Sequence, residues 1–183
     1  MRNQVEFYNT PSGYVMCDDG NYTTRLSESS REVVDELLDT IRECYSDAYR
    51  ALEQCYSKSS KNSRYQKFRI VNRFIRCNCG ELDTQKIDFI DGNINIEQVH
   101  CPLRGSGDCK YENVICNPKR TSALTVRQLQ IAAALAEGLT PQEVSDRLYI
   151  SIHTVHNTIQ AIKVKLNLKN TTQIISWYNN MNK

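Results

Sequence analysis

The amino-acid sequence predicts a mainly α-helical protein that carries a small β-hairpin and a cysteine-rich segment ahead of a helical C-terminal domain. Three observations predict it. Apolar residues recur at intervals of three and four from Val33 to Cys55 and again from Leu124 onward, the period of a helix with one buried face. Between these regions, KIDFIDGNINIEQVHC places two alternating runs around Asp91-Gly92, a dipeptide that favours the tight turn of a hairpin. Five of the eight cysteines fall between Cys77 and Cys116.

Bulk properties narrow the class. A chain of 183 residues holds one full domain or two small ones, and 40% hydrophobic with 24% charged residues is an ordinary globular balance. No apolar run is long enough to cross a membrane. The start, MRNQVEFYNT, lacks the apolar stretch of a secretory signal, so the chain is expected in the cytoplasm. The net charge of +2 is unevenly distributed. Residues 1–119 carry 16 Lys/Arg against 18 Asp/Glu, and residues 120–183 carry 7 against 3, so the C-terminal part is +4. A basic end suits phosphate. In a reducing cytoplasm the cysteines point to metal ligands, redox chemistry or burial rather than disulfides.

In chain order, residues 1–28 are polar, with Gly13 and Gly20 and no helical period; a loop, short strands or a loosely fixed arm fit equally. One long helix is expected from Ser29 to Tyr56, capped by Ser29 or Ser30, with Cys44 and Cys55 on its buried stripe. Ser57–Ser63 ends it. The run Phe68–Cys77 (FRIVNRFIRC) reads as a strand, because β-branched and aromatic residues crowd it. After the hairpin comes a turn-rich segment with Pro102, Gly105 and Gly107, and then a linker at Lys119–Ala123. Domains are therefore expected at 1–119 and 120–183.

The C-terminal part marks its own helices. Thr125 with Gln128, Thr140 with Glu143 and Asn170 with Gln173 each form a capping-box pattern. Pro141 takes a first helical position, and Gly138 supplies the left-handed residue that ends the preceding helix. Ser151 caps a further helix with two faces. Val155, Ile159, Ile162 and Leu166 point to the core, while His153, His156, Asn157, Gln160 and Lys163 lie opposite. Two short helices joined by Leu148-Tyr149-Ile150, the second with a hydrogen-bonding face, form a layout that fits a major groove.

The segment LTVRQLQIAAALAEGLTPQEVSDRLYISIHTVHNTIQAIKVKL resembles the four-helix DNA-binding domain of the LuxR/FixJ/NarL family of bacterial regulators. Leu124, Thr125, Arg127, Gly138, Leu139, Thr140, Glu143, Val144, Ser145, Leu148, Ile150, Ser151, Thr154, Val155, Ile162, Lys165 and Leu166 carry the pattern in register. The resemblance implies a non-enzymatic transcriptional regulator that binds double-stranded DNA as a homodimer. It places base-reading positions on His156, Asn157 and Gln160, and phosphate-side positions on Thr154, Lys163 and Lys165, with His153 on the same face. The chemistry agrees: Asn and Gln make bidentate contacts to adenine, and His donates to guanine or phosphate. Some positions depart from the family pattern. A usual Lys is His156, so a fixed charge becomes pH-dependent, and a usual His is Thr158. A family Glu is Gln128 and a family Arg falls on Thr171, so both members of a charge pair are missing together.

The cysteine-rich middle offers a tetrahedral thiolate set for zinc: Cys77, Cys101, Cys109 and Cys116, with Cys79 as a substitute ligand. Cys77 is preferred to Cys79 on the expectation that the two lie on a strand and point to opposite sides at the hairpin end. An iron–sulfur cluster or plain redox-active thiols remain open beside zinc. From Ser57 to Gly80 seven Lys/Arg stand without an acid, either a second phosphate contact or a solvated strand face. Residues 1–119 show neither the alternation of a phosphoacceptor receiver nor any hydrolase, phosphate-loop or metalloprotease signature. The rival readings are a metal- or thiol-dependent redox protein with an accessory DNA-binding head, and a protein-interaction adaptor.

Overall fold

The computed structural model describes residues 4–80, 82, 87–90 and 92–181. The chain divides into two compact units, Met1–Ser122 and Ala123–Lys183.

The described part of the first unit opens with three strands, so of the alternatives open for residues 1–28 short strands are realised from Gln4 onward. They are β1 (Gln4–Asn9), β2 (Val15–Asp18) and β3 (Thr23–Arg25). With β4 (Phe89–Ile90) and β5 (Asn93–Ile94) they form a five-stranded antiparallel sheet in the order β3-β2-β1-β4-β5. The expected hairpin is therefore present but short, and it joins a larger sheet. Phe89 pairs with Ile94 and Ile90 with Asn93. Asp91 of the turn lies outside the described residues, and Gly92 takes the left-handed φ of 74° that the connection needs. At the sheet centre the Phe7 N–H donates to Asp88 Oδ2 over 2.8 Å.

Two sequence expectations are corrected here. The helix expected from Ser29 to Tyr56 is broken at Tyr45 into α1 (Arg31–Cys44) and α2 (Ser46–Cys55). Tyr45 adopts φ −139° and turns its ring into the core, where it lies 5.3 Å from Phe74 and donates its hydroxyl to the Ile94 carbonyl. The groups freed by the break are taken up by a distant residue: Thr121 N–H donates to Cys44 O, and Thr121 Oγ1 accepts from Ser46 N–H. The break resets the helical phase, so α2 buries Ala48 and Leu52 and leaves Cys55 exposed instead of on the stripe. Ser30 is the N-cap residue of α1, yet its hydroxyl accepts from the Ser27 N–H rather than from the helix.

The run Phe68–Cys77 is a helix, not a strand. It belongs to α3 (Ser63–Asn78), capped by Asn62, whose side chain accepts from Tyr65 N–H. Ile70, Val71, Phe74 and Ile75 are buried at helical spacing, and packing at the centre of the unit overrides their strand preference. The ground for preferring Cys77 to Cys79 falls with the strand. Residues two apart on a strand would in any case share a face; here Cys77 sits in the last turn of α3 and Cys79 is its C-cap. The apolar stripe of α1, Val34, Leu37, Leu38 and Ile41, is buried inside the same core. Fully burying a side chain such as Phe74 or Leu37 contributes about 2–3 kcal/mol.

The second unit is all helical: α4 (Val126–Ala136), α5 (Pro141–Leu148), α6 (Ile152–Leu166) and α7 (Thr171–Met181). Leu124, Ile131, Val144, Val155, Ile162 and Ile174 form its fully buried centre.

Candidate nucleic-acid interface

Local signals in the sequence set each helix start of the second unit. Thr125 and Gln128 close a capping box at α4, with bonds of 3.2 and 3.1 Å. Thr140 and Glu143 close another at α5, where Pro141 takes a first-turn position. The Glu143 carboxylate accepts from both the N–H and the hydroxyl of Thr140, which holds it below the usual glutamate range. Ser151 caps α6 through Thr154 N–H at 3.0 Å. At α7 Asn170 caps Gln173 N–H at 2.9 Å, while the Gln173 side chain returns to Lys169 N–H rather than to the cap residue. Gly138 (φ +92°) ends α4 with open space where a Cβ would stand.

The turn between α5 and α6 is tied from three sides. Ser145 Oγ donates to Ile150 O at 2.6 Å, and Ile150 N–H donates to Ser145 O at 3.1 Å. Arg127 reaches across from α4 to donate to Leu148 O at 2.9 Å. Tyr149 takes the left-handed conformation at φ 52° with its side chain 95% exposed. The angle between the two helices is thereby set by polar bonds as well as by the buried Val144 and Val155.

On α6, Val155, Ile159 and Ile162 are buried. His153, Thr154, His156, Asn157 and Gln160 are exposed, and Lys163 is half-buried. His153, His156, Asn157 and Gln160 are separated by three, one and three residues and so share one face. No acid occurs in the sequence after Asp146, so no fixed negative charge opposes a phosphate along α6 or α7. Thr154 is partly engaged, its hydroxyl lying 2.8 Å from Ser151 Oγ. Lys165, expected near phosphate, donates to Gln128 Oε1 at 3.2 Å. Gln128 stands where the family carries Glu, and in this fold it serves both the α4 cap and Lys165. Val164, not among the expected contacts, is 82% exposed four residues beyond Gln160 on the outward face. Its helical spacing could have revealed it.

The four cysteines expected as ligands all belong to the first unit. Cys77, Cys109 and Cys116 are partly buried, and Cys101 is exposed. Cys79, the substitute ligand, is buried with its thiol 3.8 Å from Asn95 O. Burial and the carboxylates of Asp88, Glu97 and Glu6 push it well up. Among the described residues, no three His, Cys, Asp or Glu side chains are grouped so as to hold a metal ion as they stand. The basic stretch from Ser57 to Gly80 lies largely on α3, not on a strand face. There Lys67 pairs with Asp35 at 2.7 Å and Arg69 stacks 4.4 Å over Tyr56.

Four short capped helices with a tight, braced turn before an exposed polar helix define a helix-turn-helix head. Residues 122–178 match the family described as bacterial regulatory proteins, luxR family, and the C-terminal unit is a DNA-binding domain of that family. The match does not extend into residues 1–121. No curated protein and no solved structure matches the chain. The match supports a DNA-binding role in transcription regulation for residues 122–178. No helix among the described residues is long and apolar enough to cross a membrane.

Proposed function

We propose that the protein is a sequence-specific regulator that reads the major groove of double-stranded DNA with α6, and that two copies act together on paired half-sites in the cytoplasm. The observation that carries this is the outward face of α6. His153, His156, Asn157 and Gln160 are exposed in one row, without an acidic neighbour on the helix, above a fully buried opposite face. Asn157 and Gln160 offer the paired donor and acceptor that adenine demands, while His156 donates to guanine N7 or phosphate. Lys163, at the helix flank, fixes register on the backbone rather than sequence. Lys165 reaches phosphate only by leaving Gln128.

Selection of bound duplexes from a randomised pool with the full chain should return one preferred site. Gln160→Ala should then relax the preference at a single base position, losing roughly 10- to 100-fold in discrimination there. An equal loss on every sequence would assign Gln160 to phosphate or to structure. A selection that enriches nothing would remove the sequence-specific reading altogether.

A further inference from the structure

The turn-rich segment that follows the sheet has little apolar reason to hold its path. From His100 to Val114 no side chain is buried, and of these only Tyr111 rests against the core. Polar bonds nevertheless fold it back onto the C-terminal end of α3. Asn78, fully buried, donates to Ile115 O at 2.8 Å and accepts from Asn117 N–H at 2.9 Å, so both neighbours of Cys116 are pinned beside Cys77. Asn78 O also accepts from Glu97 N–H at 2.7 Å. Gly80 leaves room for Val99, whose methyl carbons would stand 2.8 and 2.9 Å from any Cβ placed there. The chain leading to Cys101 therefore runs along the same helix end. Glu112 closes the turn: its carboxylate accepts from Gly105 N–H at 3.0 Å, its N–H donates to Cys109 O at 3.1 Å, and its backbone bridges to Cys116.

We propose that Cys77, Cys101, Cys109 and Cys116 together bind one Zn(II) ion, which clamps the turn-rich segment onto the end of α3. The hydrogen bonds of Asn78 and Glu112, with the seat of Val99 against Gly80, bring the segments that carry all four cysteines to the C-terminal end of α3. All eight cysteines are free thiols. As they stand, the described side chains do not converge on a single metal position. The proposal therefore requires the turn-rich segment, which carries Gly105 and Gly107 at φ 76° and 80°, to close further on α3 when zinc binds.

Zinc suits this set because it needs four soft ligands, imposes no redox change and requires no preassembled cluster. Each thiol that binds gives up its proton to solvent, so four thiols and Zn(II) yield four protons and a site of charge −2. Arg73 stands where that charge would be offset. A disulfide switch is less suited, since it needs an oxidant, whereas zinc binding needs none.

The full chain, purified without chelator, should contain about one zinc per molecule by elemental and native mass analysis and should be colourless. Cys109→Ser and Cys116→Ser should each lower zinc retention at least about tenfold, while Cys55→Ser, at the exposed end of α2, should leave it unchanged. In wild type, trypsin cleavage after Arg104 or Lys110 should be at least about tenfold slower with zinc than after chelation. This second readout stands even if a serine variant misfolds. Metal-free protein whose cleavage ignores zinc overturns the proposal. So does zinc retained in both serine variants, an intact mass lowered by disulfide formation, or a brown protein holding iron and sulfide.

Discussion

Helices α3 and α6 are close in length, Ser63–Asn78 and Ile152–Leu166, and both combine β-branched residues with cations, yet they hold their places by different means. α6 starts at its own cap, ends in a left-handed Asn167, and turns one face to its core and the other outward. α3 has its apolar residues at the centre of a helix-and-sheet unit and ends in a buried Asn78, whose partners lie 37 and 39 residues away. The same contrast runs through the two units. The second starts each of its helices with a cap between residues three apart, and adds longer bonds from Arg127 to Leu148 and from Lys165 to Gln128. The first depends on long-range polar anchors: Phe7 to Asp88, Tyr45 to Ile94, Asn78 to Ile115 and Ser46 to Thr121. A unit built on such anchors should fail abruptly when one is cut, whereas a unit built on local caps should respond in small steps.

The largest effect that would sharpen this contrast is at Asn78. Asn78→Ala leaves the Ile115 carbonyl and the Asn117 N–H without a partner and should cost about 3 kcal/mol. Differential scanning calorimetry should show the transition of the first unit moving down while that of the second stays in place. Equal movement of both transitions would mean that the two units do not melt independently.

A smaller effect separates the units by pH. Asp88 is buried beside Glu97 and Glu6, and desolvation with these like charges raises its carboxyl to about 8, against the opposing bond from Phe7 N–H. A carboxyl raised in the fold stabilises it while protonated. Its contribution is complete below the ordinary carboxylate range and is lost as pH rises through about 8. From pH 7 to 9 the first unit should lose on the order of 1 kcal/mol, solvent screening included, with the second unaffected by this group. Urea titrations at the two pH values, repeated on Asp88→Asn, should show the loss disappear in the variant. A loss of the same size in Asp88→Asn would place the titrating group elsewhere.

The smallest effect has the opposite sign. Tyr149 occupies a left-handed position with its side chain 95% exposed, so Tyr149→Gly relieves backbone strain at no cost in packing. Thermal melts should show a gain of up to about 1 kcal/mol in the second unit. If duplex affinity falls in the same variant, Tyr149 touches DNA from the turn; a destabilised domain would mean the ring has a partner within the fold.

How far the sequence could be read follows this division. Thr125, Thr140 and Ser151 announce their helices within four residues, so the second unit and the row from His153 to Gln160 are legible in the sequence alone. The break at Tyr45 is not, because it is completed by Thr121, 75 residues away from Ser46. The strand expected at Phe68–Cys77 fails for a related reason. Isoleucine, valine and phenylalanine favour strands in isolation, and only the position of α3 between α1 and the sheet makes their helical spacing decisive. The bond from Lys165 to Gln128, 37 residues earlier, is likewise not legible from local sequence.

The internal engagement of the head's cations has a consequence for counterions. Arg127 is held by Leu148 O, Arg147 pairs with Glu137, and Lys165 bonds to Gln128. Lys163 and Lys169 make no side-chain ion pair or hydrogen bond among the described residues. A protein releases condensed cations from DNA roughly in proportion to the phosphates it neutralises, with a logarithmic slope of about −0.9 for each. Among the described residues these two lysines alone contribute a slope of about −2 per head, shallow beside the value of about −10 known for a strongly basic repressor. A single head should thus lose little affinity as ionic strength rises, but it also starts with little electrostatic attraction. Pairing of two heads would double the slope, so the slope measured on a specific duplex counts the heads bound to it.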